Sequence, residues 1–168
     1  MKFKTATLRT LHVDSPLGGV TLAATDEGLA GLWFDQQRHL PDMSDWQTDD
    51  IDNPHPVLRA AAAQLQDYFA GTRAHFDLPL DLSHGTVFQQ AVWQALREIP
   101  AGATTSYGAL SRHVGSPSAV RAVGAAVGRN PISVIVPCHR VLGVNGSLTG
   151  YAGGLDRKTA LLALERVL

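Results

Sequence analysis

NPISVIVPCHRVLG, residues 130–143, is the stretch on which the reading of this chain turns. It holds the only cysteine, Cys138, followed directly by His139. The β-branched run Ile132 to Val136 predicts a short buried strand, and Pro137 ends any ladder there by removing a backbone donor. Cys138 is then expected at a strand end or turn, where reactive groups are easily presented to a ligand. A lone cysteine is more often an inert buried side chain than a nucleophile. The proline, histidine and arginine around this one predict an electropositive setting, favouring thiolate over a free-thiol pKa of about 8.5. Adjacent side chains on a strand point to opposite faces, so His139 would need a turn or a bridging water to reach the sulfur.

Working outward, the 168 residues allow one or two small domains, and 45% hydrophobic with 17% charged content is that of an ordinary soluble protein. No run approaches the roughly 20 apolar residues of a membrane span, and MKFKTATLRT lacks a signal-peptide core, so no membrane partner and a cytoplasmic location are expected, nucleoid-associated in a prokaryote. One cysteine excludes an internal disulfide and a cysteine-based zinc site, and the seven histidines show no close ligand spacing, so neither metal nor cofactor is expected. Charge is unevenly placed. Residues 1–81 carry a balance of −6 and residues 82–168 one of +5, which suggests that the basic half meets a polyanion.

The segments TATLRTLHVDS and GVTLAATDEGLAGLWF, with turn signals at Pro16–Gly19 and Asp26–Gly28, predict a three-stranded antiparallel meander over residues 5–34. Acid-rich residues 35–53 read as an irregular loop. Residues 56–69 are strongly helical, with Leu58, Ala61, Ala62, Leu65 and Phe69 on one stripe and Gly71 beyond the end. A short strand is expected within residues 75–82. Asp14, His12 and His39 read as solvated surface groups, and nothing in this half looks catalytic.

Composition changes at Ser83-His84-Gly85, giving expected domains at 1–82 and 83–168. Residues 86–97 predict a helix stopped by Pro100 and Gly102. Thr105 or Ser106 can cap a second helix reaching His113 and closed by Gly115. Ser116 and Pro117 predict the start of a third, running to Gly128. The pair makes a helix-turn-helix candidate. In the third helix Val120, Val123 and Val127 should face inward, leaving Ser118, Arg121, Ala122 and Ala125 outside. Small residues around one arginine suit close approach to a narrow minor groove better than base reading in the major groove, or else close packing on another protein element.

Asn145-Gly146 is a turn signal, and residues 150–154, GYAGG, form a glycine-rich loop able to approach a ligand. The last helix is expected from Leu155 to about Val167. Glu165 lies there on a leucine-rich stripe with Lys158, and a carboxylate in that place needs a partner, for which His139 is the natural candidate.

Together FQQAVWQALREIPAG, TSYGALSRHVG, AVRAVGAAVGRNP, VPCHRV and GYAGGLDRK resemble the O6-alkylguanine-DNA alkyltransferases, the methylated-DNA–protein-cysteine methyltransferase family. The resemblance implies an α+β fold: a ribonuclease-H-like α/β domain, then a mainly helical, winged-helix-like domain with a helix-turn-helix and the active-site cysteine. It implies stoichiometric, single-turnover transfer of the alkyl group from O6-alkylguanine, with O4-alkylthymine as a second candidate substrate, to Cys138 after nucleotide flipping. His139 would act as base through a water, oriented by Glu165, with Asn130 as the hinge. Arg121 would enter the base stack, beside Ser118, Ala122 and Ala125. Tyr107 would sit near the target phosphate and base. Carbonyls of Cys138 and Val141 and the amide of Ala152 would read the guanine edge, and Tyr151 would line the substrate site. Ser133 stands where some relatives have proline, implying a roomier pocket. The implied partner is duplex DNA bound through its minor groove by a monomer. A non-catalytic helix-turn-helix protein would leave Cys138 without a purpose, and a cysteine hydrolase would leave the small-faced helix and basic half unexplained.

Overall fold

The computed structural model describes residues 3 and 8–168, so the start of the first expected strand, residues 5–7, lies outside the described part. The meander forms as its turn signals predict: β1 (Arg9–Val13), β2 (Val20–Thr25) and β3 (Gly28–Phe34) pair antiparallel, with a bulge between Ala23 and Ala24. The loop expected over 35–53 contains a short strand, β4 (Gln47–Thr48), which pairs parallel with β1 and completes the sheet order β3-β2-β1-β4. Alternation then decides the faces. Leu22, Ala24, Leu32 and Phe34 look into the main core, where they meet Leu58, Ala61, Leu65 and Tyr68 of α1 (Pro56–Phe69). Ala23, Ala30 and Trp33 look the other way, into a small cluster with Phe3, Met43 and Trp46.

No strand forms within residues 75–82. Leu80 makes only a single bridge to Leu29 on the open edge of β3. The same edge takes a second bridge, Leu32 to Ile132, from the other half of the chain. These two patches occupy backbone groups that an edge strand otherwise leaves open to pairing.

In the second half α2 (Val87–Arg97) forms within the expected 86–97 and opens with a reciprocal cap between Thr86 and Gln89, each side chain bonding the other's backbone N–H. After β5 (Thr105–Ser106), Ser106 caps α3 (Tyr107–His113). The following helix begins later than expected. Ala119 N–H bonds Ser116 O at 2.9 Å and Ser111 Oγ takes the same carbonyl, closing 116–119 as a turn. Helix α4 is therefore Val120–Gly128, and Ser116 does not cap it. Val123 and Val127 face inward as expected, but Val120 at the first turn is 40% exposed. Trp93 Nε1 donates to Ala126 O at 2.8 Å and ties α2 to α4. Strand β6 (Val141–Leu142) pairs parallel with β5, and α5 (Leu155–Leu164) ends the fold with Glu165 at its C-cap. Among the described residues no helix is long and apolar enough to cross a membrane.

Candidate active site

Ile132 to Val136 do not form the expected strand. After the bridge to Leu32 the chain folds back, Val136 N–H reaching Ile132 O at 2.9 Å, and Val134 takes a φ of 72°. A β-branched residue there costs on the order of 1–3 kcal/mol. Residues 130–140 are buried throughout, so burial offsets that strain and the two-faced logic of a strand does not apply. Asn130 holds the fold-back shut: its amide donates to Val136 O at 2.7 Å and its carbonyl accepts from Ile132 N–H at 2.9 Å. Cys138, His139 and Arg140 then form one turn of 3₁₀ helix, with successive side chains about 120° apart. The opposite-face difficulty raised by a strand disappears.

One carboxylate organises this turn. Glu165 Oε2 accepts from His139 Nε2 at 2.8 Å, Arg140 Nη2 at 2.7 Å and the Tyr68 hydroxyl at 2.7 Å, while Arg140 Nε donates to Oε1 at 2.8 Å. Arg140 Nη1 also donates to Ile99 O at 2.5 Å. Burial alone would push the Glu165 carboxyl up, but the donors from Arg140, His139 and Tyr68 outweigh it and hold it at about 2. An ionised carboxylate only accepts, so the proton of His139 sits on Nε2 and Nδ1 carries the lone pair. That Nδ1 is buried and has no protein partner. Burial pushes the His139 pKa down against the pull of Glu165, so the ring is neutral and basic at pH 7.

This arrangement sets a pH dependence. The folded state binds fewer protons than the unfolded chain at Glu165, below the ordinary 4.5, and at His139, below the ordinary 6.5. Both groups therefore stabilise the fold at neutral pH, and the contribution falls as pH falls through 6.5 and then from 4.5 toward 2. Urea midpoints measured from pH 7 to pH 3 should drop, with a shallower drop below 4.5 in a Glu165→Gln protein. Parallel curves for the two proteins would show that the carboxylate is not paired as described.

The expected thiolate preference of Cys138 is not what the resting site gives. Burial pushes the thiol up, and the Asn130 side chain and the Lys158 ammonium only partly oppose this. The electropositive neighbours read from the sequence do not face the sulfur: Arg140 is engaged by Glu165, and His139 is neutral. The cation that does act on Cys138 is Lys158. It is wholly buried, and its Nζ donates to the carbonyls of Val141 at 2.6 Å, Thr149 at 3.1 Å and Gly150 at 3.3 Å.

A pocket of about 120 Å³ reaches Cys138 between Tyr107, Gly150, Tyr151 and Ala152, with Arg38 and His39 on the opposite lip. It adjoins an open groove of about 1190 Å³ whose lining includes Tyr107, Arg121, Gly124 and Gly150. Arg121, Ala122 and Ala125 are exposed on α4, and Ser118 is exposed in the turn before it. Tyr107 Oη donates to Thr149 O at 3.2 Å. Val141 is buried and its carbonyl already accepts from Lys158, leaving one lone pair for a ligand. The Cys138 carbonyl likewise accepts from Val141 N–H. Ser133 is buried near the Tyr151 hydroxyl without completing a hydrogen bond, and it does not line the pocket. The expectation that it widens the pocket is thus not supported by its position.

Sequence reasoning missed Tyr68, Arg140, Lys158, Arg38 and His39. Tyr68 lies 97 residues from Glu165, with no local signal. His39 is exposed, as expected of a surface group, and it also stands at the pocket lip. Lys158 did leave a trace, a cation on the leucine-rich stripe of α5.

Two family models match the chain. Residues 8–82 match the ribonuclease-like domain, and residues 87–167 the DNA binding domain, of 6-O-methylguanine DNA methyltransferase. The methylated-DNA–protein-cysteine methyltransferase of Mycolicibacterium paratuberculosis is 51% identical over 154 residues, covering 92% of this chain and 90% of its own. That of the archaeon Methanosarcina acetivorans is 48% identical over 153 residues, covering 90% and 94%. The crystal structure of Mycobacterium tuberculosis OGT in complex with DNA superimposes with a TM-score of 0.84 at 48% identity, covering 95% of this chain and 92% of that one.

Proposed function

Since the chain belongs to the 6-O-methylguanine DNA methyltransferase family, we propose that Cys138 is the sulfur that accepts the alkyl group. The activity is direct-reversal DNA repair, alkyl transfer from damaged DNA to a protein cysteine. The observation that carries the assignment is the pocket that ends on Cys138, the only cysteine, beside a buried imidazole whose basic nitrogen has no protein partner.

In this reading the thiol proton passes through a water to His139 Nδ1. The unpartnered Nδ1 is free to accept from such a water. Glu165 keeps the other ring nitrogen protonated and stabilises the imidazolium. Sγ attacks the alkyl carbon, the carbon–O6 bond breaks, and its electron pair stays on the guanine until a proton returns there. Lys158 steadies the sulfur anion while it exists. The product is a thioether, which water does not hydrolyse, so each molecule acts once.

The substrate is O6-alkylguanine in duplex DNA. An alkyl group inside the stack cannot be reached in line by sulfur, so the nucleotide turns out into the pocket, at a few kcal/mol that is smallest for a damaged base. The small outer face of α4 approaches the minor groove, Arg121 fills the gap left in the stack, and Tyr107 meets the extruded nucleotide. Tyr151 and Ala152 form the pocket wall, with the Ala152 amide and the Val141 carbonyl on the base edge. We place the boundary between the two units at residues 82 and 83. The protein acts as a monomer in the cytoplasm.

Intact mass after mixing with O6-methylguanine duplex tests the assignment. A gain of about 14 Da (one CH₂) confined to the peptide bearing Cys138 is expected. Cys138→Ala should bind the duplex and gain nothing. A gain on any other residue would overturn the assignment.

A further inference from the structure

The glycine-rich loop 150–154 closes one side of the pocket over Cys138, yet it belongs to no strand or helix. What holds it is two consecutive cations in the first turn of α5. Lys158 points inward to the carbonyls of Val141, Thr149 and Gly150. Arg157 points outward, toward the first half of the chain. Its Nε donates to Leu17 O at 3.0 Å in the β1–β2 turn, Nη2 to Asp35 O at 3.2 Å just past β3, and Nη1 to Gly153 O at 3.2 Å in the loop itself. Its guanidinium carbon lies 4.7 Å from the centre of the Phe34 ring.

Helix propensity does not explain this residue. A cation in the first turn opposes the helix dipole. Nor does ion pairing, since among the described residues Arg157 forms no salt bridge and directs all three hydrogen bonds to backbone carbonyls. A planar fork joining three fixed carbonyls sets geometry, a task for which lysine is no substitute. The surroundings are fitted to it. A Cβ on Gly153 would lie 2.7 Å from the Tyr151 ring and 3.2 Å from Phe34, and one on Gly18 would lie 3.2 Å from Arg157 Nη2. Beside this bridge the Arg38 N–H donates to Ala152 O at 2.8 Å, so two successive loop carbonyls are fixed to the segment that follows β3. That segment also supplies Arg38 and His39 to the pocket lip.

We propose that Arg157 is a positioning residue for alkyl transfer, which locks loop 150–154 onto the β1–β2 turn and the end of β3 and so makes the first half of the chain part of the nucleotide pocket. This rests on the reading of Cys138 and its pocket given above. Without the fork the loop retains only its inner anchor, Lys158, and the one backbone bond from Arg38. Tyr151 and the Ala152 amide then lose their fixed distance to Cys138, and a misplacement of about 1 Å in such a site can cost about 100-fold in rate. DNA docking through α4 is untouched, because Arg157 does not line the groove.

The test compares wild type, Arg157→Met and Arg157→Lys in single-turnover time courses on O6-methylguanine duplex, read by intact mass. Affinity for undamaged duplex and amide hydrogen exchange are measured beside them. Arg157→Met keeps the stem over Phe34 and removes the donors. It should slow transfer about 10- to 100-fold at saturating DNA, still reach one alkyl group per molecule, leave undamaged-duplex affinity unchanged, and speed exchange in the β1–β2 turn, 34–38 and 150–154 alone. Arg157→Lys keeps the charge without the fork and should also be slow; it carries the test if the methionine variant does not fold. Wild-type rates in either variant would overturn the proposal, as would slowing that comes with faster exchange throughout the molecule. Failure of the underlying reading shows separately, as wild-type protein that gains no mass on Cys138.

Discussion

Replacing Glu165 with glutamine is expected to slow alkyl transfer by about 10²- to 10⁴-fold, the range that a positioned general base contributes. The substitution keeps shape and removes one charge. Glu165 Oε2 alone accepts from His139, Arg140 and Tyr68. An amide has one oxygen and brings two donors of its own, so Arg140, which bonds both carboxylate oxygens, must face an N–H in either orientation, and His139 and Tyr68 face it in one of them. Two consequences follow. His139 is released from the tautomer that leaves Nδ1 basic, and the proton can move to the nitrogen that should receive one. Arg140 keeps its charge in a buried place with its counter-ion gone, which typically costs about 3–5 kcal/mol. That is a large part of the roughly 5–15 kcal/mol by which domains are stable. Rate and melting temperature should therefore fall together, unlike in a variant that touches the imidazole alone. A glutamine protein within twofold of the wild-type transfer rate would end the role given to this carboxylate.

Arg121→Ala is expected to act on the opposite side of the site, by a different route. Arg121 is exposed on α4 and lines the groove that adjoins the cysteine pocket, among small neighbours that let the helix come close to a duplex. If its side chain fills the space vacated by the extruded nucleotide, its loss returns part of the few kcal/mol of unstacking to the barrier. Transfer from O6-methylguanine duplex should fall about 10- to 100-fold. Undamaged-duplex affinity should change far less, and its salt dependence by no more than about one phosphate contact. A free alkylated base has no stack to leave, so transfer from O6-benzylguanine should be unaffected. Equal losses on the free base and the duplex would sink the insertion role and point to general damage to the pocket.

Regular elements with complete local signals were legible in the residues. Helix α1 spans the predicted 56–69, and α2 lies within the predicted 86–97, because periodicity and stop signals are short-range. Two local signals were overridden. Ser116-Pro117 is a good helix start, but Ser111 and Ala119 take the Ser116 carbonyl and close a turn first. Ile132 to Val136 has strand propensity, yet Asn130 folds it back through two side-chain hydrogen bonds. Burial on all sides makes the choice between strand and turn a matter of packing, not of the residues' own preference.

The sequence by itself determined the two-part order of elements, the family, and the residues proposed to carry the chemistry, Cys138, His139 and Glu165, since residue type and spacing express those directly. Only the tertiary structure decided how they are charged and held. Burial keeps the thiol protonated while Arg140 turns to Glu165, and Tyr68 and Arg157 join the first half of the chain to the site across gaps of 97 to 140 residues. Charge in a buried site depends on which groups face one another and how far they are from water, and no spacing along the chain records either.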